Sequence, residues 1–171
     1  MQEQIRVRLR GVEPRDVDLM YSVENDLRNW SESGATQPFS RYLLELFVES
    51  QSDDIFKNRQ LRLMVEGADG ETVGMVDLFE FDPVNHRAGV GIYIMEPFRG
   101  GGYGVAALEE LHKYCRGVLQ LHQLWCGVAV DNIASYNLFR SMEYRAVGVK
   151  REWLWREDGY CDEVMMQYVF D

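Results

Sequence analysis

The stretch Ile92-Tyr-Ile-Met-Glu-Pro-Phe-Arg99-Gly-Gly-Gly102-Tyr-Gly104 decides how the rest of the chain is read. An apolar run ends at Pro97. Glycines follow at 100, 101, 102 and 104, and then Val105, Leu108, Leu111 and Tyr114-Cys115 recur at helical spacing. A strand, a glycine turn and a helix leave backbone N–H groups bare at a helix N-terminus, a ready site for an anion. A nucleotide-triphosphate loop needs Lys-Ser/Thr after its glycines. Here Val105-Ala106 follow Gly104, so that chemistry is excluded. Gly102-x-Gly104-x-x-Ala107 matches a dinucleotide fingerprint locally. The motif lies past the middle of the chain, however, and no acidic residue ends a strand about 20 residues on, since Asp131 comes too late.

Upstream, Ile5–Leu9 alternates as a half-buried strand, and Glu13-Pro14-Arg15-Asp16 opens a helix with Pro in its first turn. Asn25–Pro38 reads as a polar loop carrying Trp30, a ring expected to pack down as a lid. Ser40 caps a second helix with Tyr42, Leu43, Leu46 and Phe47 on its apolar face. Two strands then flank the turn Gly67–Gly70, and a third, Ala88–Met95, leads into the glycine loop. Downstream come a helix from about 103 to 119 and an apolar strand over 124–130. Asp131-Asn132 then signals a helix over 133–142, and a hairpin turns at Glu157-Asp158-Gly159. The order is β-α-α-β-β-β-α-β-α-β-β, a mixed sheet with helices on it.

At 171 residues the chain fits a single domain spanning 1–171, with 46% apolar residues to build a core. Its 18 basic and 28 acidic residues give a net charge of −10. That field opposes nucleic acid and anionic membranes, and it suits cationic partners or plain solubility. Cys115, Cys126 and Cys161 form no metal or disulfide pattern, and three His lack ligand spacing, so no metal is expected. The opening residues are polar and no apolar run nears the ~20 residues of a membrane helix, so the expected location is the cytoplasm. A homo-oligomer remains open.

Arg99-x-x-Gly102-x-Gly104 resembles the Gln/Arg-x-x-Gly-x-Gly/Ala motif of the GNAT acetyltransferases. Val128-Ala-Val-Asp-Asn132, then Leu138-Phe139 and Tyr144, resembles that family's strand, Asn, and helix ending in Tyr-x-x-x-Gly-Phe. The closing hairpin, Glu152-Trp-Leu-Trp to Asp162-Glu-Val-Met-Met, also has a counterpart there. The resemblance covers essentially the whole chain. It implies an α/β (α+β) fold: a mixed, mostly antiparallel sheet of six to seven strands with about four helices packed on it. It also implies acetyl-CoA as cosubstrate. Arg99, Gly100, Gly101, Gly102, Tyr103 and Gly104 would hold the pyrophosphate, although Arg99 has the plain alternative of simple exposure. Backbone groups of Ile92, Tyr93 and Ile94 would face the thioester. Asn132 would cap its helix, alone or while also bonding the pantetheine arm, and Phe139 would lie beside the cofactor.

Within the family the chain is most similar to the spermidine/diamine N-acetyltransferases, and similar also to the ribosomal-protein N-terminal acetyltransferases. The first likeness rests on Leu9-Arg10, Asn29-Trp30-Ser31-Glu32, and Val73-Gly-Met-Val-Asp77-Leu-Phe-Glu80-Phe-Asp82 with His86-Arg87-Ala88. It implies direct acetyl transfer to a primary amine, a polyamine or other small cationic amine, with a protein N-terminus as the alternative. Trp30, Glu32, Asp77 and Glu80 would bind substrate, although Glu32 and Glu80 can equally be read as solvated surface carboxylates. Glu80 is the candidate base, followed by Asp77. The two differ in parity, so on a regular strand only one lines the cleft unless a bulge intervenes. The chain departs from the pattern in three places. Glu49–Asp53 stands where polyamine enzymes carry a His pair, Glu143 stands for the family Gly, and Phe139 stands where the Tyr acid falls. Tyr136, one turn before Phe139, is the substitute acid or a core residue. Phe139 also supports a reading of another class, a module that binds CoA or an amine without turnover.

Overall fold

The computed structural model describes residues 5–51 and 54–171, with every side chain in them except those of Ser31 and Glu32. Seven strands form one sheet: β1 Arg8–Gly11, β2 Leu61–Glu66, β3 Thr72–Asp82, β4 Arg87–Ile94, β5 Gln123–Ala129, β6 Arg145–Arg156 and β7 Gly159–Val169. Their order is β1-β2-β3-β4-β5-β7-β6. Every neighbouring pair is antiparallel except β4 with β5. The α-helices are α1 Val17–Glu24, α2 Leu27–Ser33, α3 Arg41–Ser50, α4 Ile55–Asn58, α5 Tyr103–Gly117 and α6 Ile133–Ser141. Among the described residues, no helix is long and apolar enough to cross a membrane.

The four longer helices are those the sequence pattern expects. The short α2 is a correction, because it lies inside the stretch read as a polar loop. The Asp26 carboxylate caps it by accepting the Arg28 N–H at 3.0 Å, and Gly34 ends it at φ 71°. Trp30 does pack down, with its indole N–H donating to the Glu24 carbonyl at 2.8 Å.

Ladder partners point their side chains to the same side, so the register divides the sheet into two faces. On one face Val76, Leu78, Val90, Leu124, Cys126, Val128 and Met166 pack against Ala107, Leu108 and Leu111 of α5 and Phe139 of α6. Burial of each large aliphatic side chain there contributes roughly 1.5–3 kcal/mol. On the other face Met64, Met75 and Tyr93 pack under Val17 and Met20 of α1 and Leu44 of α3. β1 is tied to this side through Arg10, which donates to both Asp16 carboxylate oxygens at 2.7 and 2.8 Å and to Glu66 at 2.8 Å.

Helix α6 stops in a Schellman turn. The Tyr144 N–H reaches the Phe139 carbonyl and the Glu143 N–H the Arg140 carbonyl, both at 3.1 Å. The Phe139 and Tyr144 rings meet edge to face at 5.0 Å and supply the apolar contact such turns favour. Glu143 sits at φ 66°, the left-handed position that glycine takes most readily. The family's Gly therefore has a backbone reason, and this chain carries the strain. We expect Glu143→Gly to stabilise the fold by about 0.5–1 kcal/mol, the left-handed strain relieved less the extra entropy of an unfolded Gly. Thermal melts should rise by about 1–4 °C.

His112 stacks on Tyr168 at 4.4 Å and its Nε2 lies 3.1 Å from the Tyr144 hydroxyl. Burial pushes its imidazole down to about 4 from the ordinary 6.5. Between those values the unfolded chain binds a proton that the folded chain refuses, so stability falls as pH drops through that window. His112→Phe should flatten the slope of melting temperature against pH between 6.5 and 4, even though the Tyr144 hydroxyl loses its partner.

Candidate active site at the parting of β4 and β5

The site starts from a pairing that stops early. β4 and β5 are in register only over Arg87–Gln123, Ala88–Leu124 and Gly89–Trp125. Beyond them β4 stays with β3 as far as Ile94, while β5 stays with β7 as far as Ala129. The two strands therefore separate, and among the described residues the edge of β4 over 90–94 has no strand partner on its β5 side. The vertex is closed on the α1/α3 face by Phe79, whose ring lies over Gly89 and meets Trp125 edge to face at 5.2 Å. A side chain at residue 89 would collide with that ring.

At the open end of β4, Met95–Arg99 makes a short turn into the glycine loop. Gly100 and Gly102 adopt φ 74° and 89°, and Gly102 is the N-cap of α5. The first bond inside the helix runs from the Ala106 N–H to the Gly102 carbonyl at 3.1 Å. The N–H groups of Tyr103, Gly104 and Val105 precede it, so they are available to an anion. A Cβ on Gly104 would lie 3.1 Å from Leu138 Cδ2, so the glycine also lets α5 approach α6 closely. Arg99 is exposed at this turn. Its Nε donates to the Ile94 carbonyl at 2.8 Å and its guanidinium lies 5.4 Å from the Tyr93 ring. Asn132 caps α6, its Oδ1 accepting the Ser135 N–H at 3.0 Å. An unpaired strand edge leading to bare helix N–H groups fits a pantetheine arm ending in a pyrophosphate, so the residues present suit coenzyme A.

The acidic residues separate. Asp77 faces the α1/α3 side, and its Oδ2 lies 4.0 Å from where a Cβ on Gly91 would sit, one step past the vertex. Arg62 from β2 holds both Asp77 oxygens, at 2.7 and 2.8 Å, and also donates to Glu24 at 2.6 Å. Glu24 is the residue whose carbonyl receives Trp30, so α2 is linked through Arg62 to the wall of the gap. A bulge does intervene in β3, between Phe79 and Asp82. Glu80 lies in it at φ 47°, exposed, on the closed side of the vertex. The Glu32 side chain lies outside the described residues. Tyr136 is half-buried against the core cluster, and Phe139 is 3% exposed within it. Cys126 lines β5 with its thiol pushed up to about 12 by burial, with a smaller push from Glu163, so it stays protonated and unreactive. Among the described residues no His, Cys, Asp and Glu group is placed to hold a metal ion.

Sequence reasoning passed over Arg62, Glu24, the Phe79–Trp125 contact and the acidic residue Glu163. The Arg62–Asp77 pairing follows from hairpin register, but an irregularity at Val65/Glu66 shifts that register and hides it.

Comparison with known proteins places this geometry. Residues 6–145 match the family model described as the acetyltransferase (GNAT) domain. The chain is 28% identical over 147 residues to the spermidine N(1)-acetyltransferase of Escherichia coli (strain K12), covering 83% of this chain and 74% of that one. It is 31% identical over 87 residues to the putative ribosomal N-acetyltransferase YdaF of Bacillus subtilis (strain 168), covering 51% of this chain and 48% of that one. The crystal structure of spermidine N-acetyltransferase from Vibrio cholerae in complex with CoA and spermine superposes with a TM-score of 0.87 at 23% identity, over 96% of this chain and 95% of that one. With the family model spanning the sheet from its first strand through α6, and the parted strands and glycine-capped helix in place, the chain belongs to the GNAT family of N-acetyltransferases.

Proposed function

We propose that this protein transfers the acetyl group of acetyl-CoA directly to a small cationic amine, a polyamine first. The observation that carries the reading is the Asp77 carboxylate, held by Arg62 at the mouth of the β4–β5 gap. The likeness to the Escherichia coli spermidine N(1)-acetyltransferase over 83% of this chain supports the same substrate class. Bound acetyl-CoA supplies an acyl group activated as a thioester, with a thiol as leaving group.

The chain's own residues do the rest. The N–H groups at the start of α5 bind the pyrophosphate, and the glycines keep side chains out of its way. Backbone groups of Ile92, Tyr93 and Ile94 on the unpaired edge of β4 orient the thioester, with N–H donors aimed where charge develops on its carbonyl oxygen. Asp77, held in place by Arg62, receives an ammonium at Oδ2 and draws the amine into the gap. An alkylammonium titrates near ~10, so the reacting nitrogen must give up a proton before it attacks. On the β3 wall, Asp77 is the carboxylate nearest the gap to accept it. Phe139 has no proton to give, and a thiol of ordinary acidity, near ~8.5, leaves without a strong acid. The buried, protonated Cys126 offers no nucleophile for a covalent relay, which favours direct transfer.

Thiol release from acetyl-CoA tests the reading. Spermidine should be turned over, and a basic peptide N-terminus should be turned over slowly or not at all. The reverse order would assign the protein to N-terminal acetylation, and thiol release with neither would leave a binding module. Asp77→Asn should lower kcat/KM for spermidine by about 10²-fold, the contribution of a positioned carboxylate. Glu80→Gln should stay within about threefold, because Glu80 is exposed beyond the vertex. Gly102→Ala, which forces a Cβ into the left-handed region at a cost of roughly 1–2 kcal/mol, should raise KM for acetyl-CoA several-fold.

A further inference from the structure

The gap has two walls, and the opposite wall carries a second carboxylate. Two residues past the last ladder pair each strand has a glycine, Gly91 on β4 and Gly127 on β5. Both belong to the α1/α3 face, the face of Asp77, Phe79 and Trp125. Asp77 leans toward Gly91 from β3. From β7, Glu163 leans over Gly127, so closely that a Cβ there would stand 2.5 Å from its Cδ and 2.7 Å from each carboxylate oxygen. Gly127 is itself exposed, so this wall opens to solvent. Only glycine at 127 lets the carboxylate reach the rim of the gap.

The two carboxylates are held differently. Asp77 is gripped through both oxygens by Arg62, and Arg62 is itself tied to Glu24. A planar guanidinium held at three points does not exchange readily. Among the described residues, Glu163 accepts one side-chain hydrogen bond, of 2.7 Å from the Lys150 ammonium on β6. The Glu163 side chain is 14% exposed and that of Lys150 35%. The same ammonium lies 4.8 Å from the Trp153 ring, a cation–π resting place on the hairpin. A flexible, solvated lysine with a second place to go is a displaceable counter-ion.

We propose that Glu163 is a specificity-determining residue for the acceptor. It binds a second ammonium of a polyamine, and Lys150 yields to that ammonium as the substrate enters. The assignment rests on the acceptor being a cationic amine, as proposed above. The reacting nitrogen must become neutral, so tight binding has to come from another nitrogen of the same molecule. Fixed Asp77 on one wall and exchangeable Glu163 on the other suit a substrate with two or more amines. The Lys150–Glu163 pair also keeps Glu163 from standing as a bare, half-buried charge while the gap is empty of amine.

Steady-state kinetics of full-length Glu163→Gln and Lys150→Gln, with spermidine and with a monoamine of similar length, test this. Glu163→Gln should raise KM for spermidine about tenfold, far more than it changes kcat, and should shrink the preference for spermidine over the monoamine. Lys150→Gln should lower KM for spermidine, because the carboxylate loses its internal competitor. A purely structural ion pair predicts the opposite: both variants lose thermal stability and their KM values move in the same direction, or neither moves. Either of those results overturns the role of Glu163, even where wild-type protein acetylates spermidine well. If wild-type protein neither binds spermidine calorimetrically nor acetylates it, the acceptor class itself is wrong and Glu163 falls with it.

Discussion

Everything functional in this fold depends on two parallel strands that pair for three residues and then part. β4 follows β3 and β5 follows β7, each held by a longer antiparallel ladder than the one joining them. The parting leaves backbone groups without strand partners in the middle of a sheet, where an unpaired N–H or C=O is normally costly. The molecule keeps the opening short by closing its vertex with the Phe79–Trp125 contact over Gly89. It places the N-terminus of α5 where the open end of β4 delivers the chain. The site proposed for the cosubstrate and the exposed backbone that needs a partner are thus one feature.

The charges on the acceptor side follow a similar economy. The chain carries ten more acidic than basic residues, yet the carboxylate nearest the gap on the β3 wall is neutralised internally. Arg62 joins Glu24 of α1 to Asp77 of β3, and the Glu24 backbone holds Trp30 of α2. One guanidinium thus fixes three elements, β2, β3 and α1, to one another, and the Trp30 indole adds α2 as a fourth. The long-range acidic field can draw a cation toward the protein. In the proposed reading the geometry at the gap then determines which nitrogen is held.

Much of this was legible in the sequence where local chemistry speaks directly. The glycine loop, the cap at Asn132, the hairpin turns and the succession of strands along the chain follow from turn residues and periodicity, and the structure places each as expected. Local rules failed where tertiary contacts decide. α2 forms because Asp26 and Gly34 bracket a stretch too polar to look helical, and Trp30 docks it onto α1. The position of Glu80 is set by a bulge that parity alone cannot locate. Glu163 is invisible in sequence because its relation to Gly127 exists only across the β5–β7 ladder. Phe139 reads as a missing acid in a motif, whereas the folded chain uses it as half of the apolar contact that ends α6.

The terminal position of β6 has a further consequence for how such an enzyme can diverge. Among the described residues β6 has a strand neighbour on one side only, and most of its side chains are exposed. Lys150 and Trp153 can therefore change without disturbing the buried layer that sets the cosubstrate loop. With Glu163 and Lys150 in their proposed roles, a mutational path can retune which amine is accepted from the rim of the sheet inward. On that reading the hairpin rim tunes the acceptor, while the buried layer beneath α5 and α6 holds the fold.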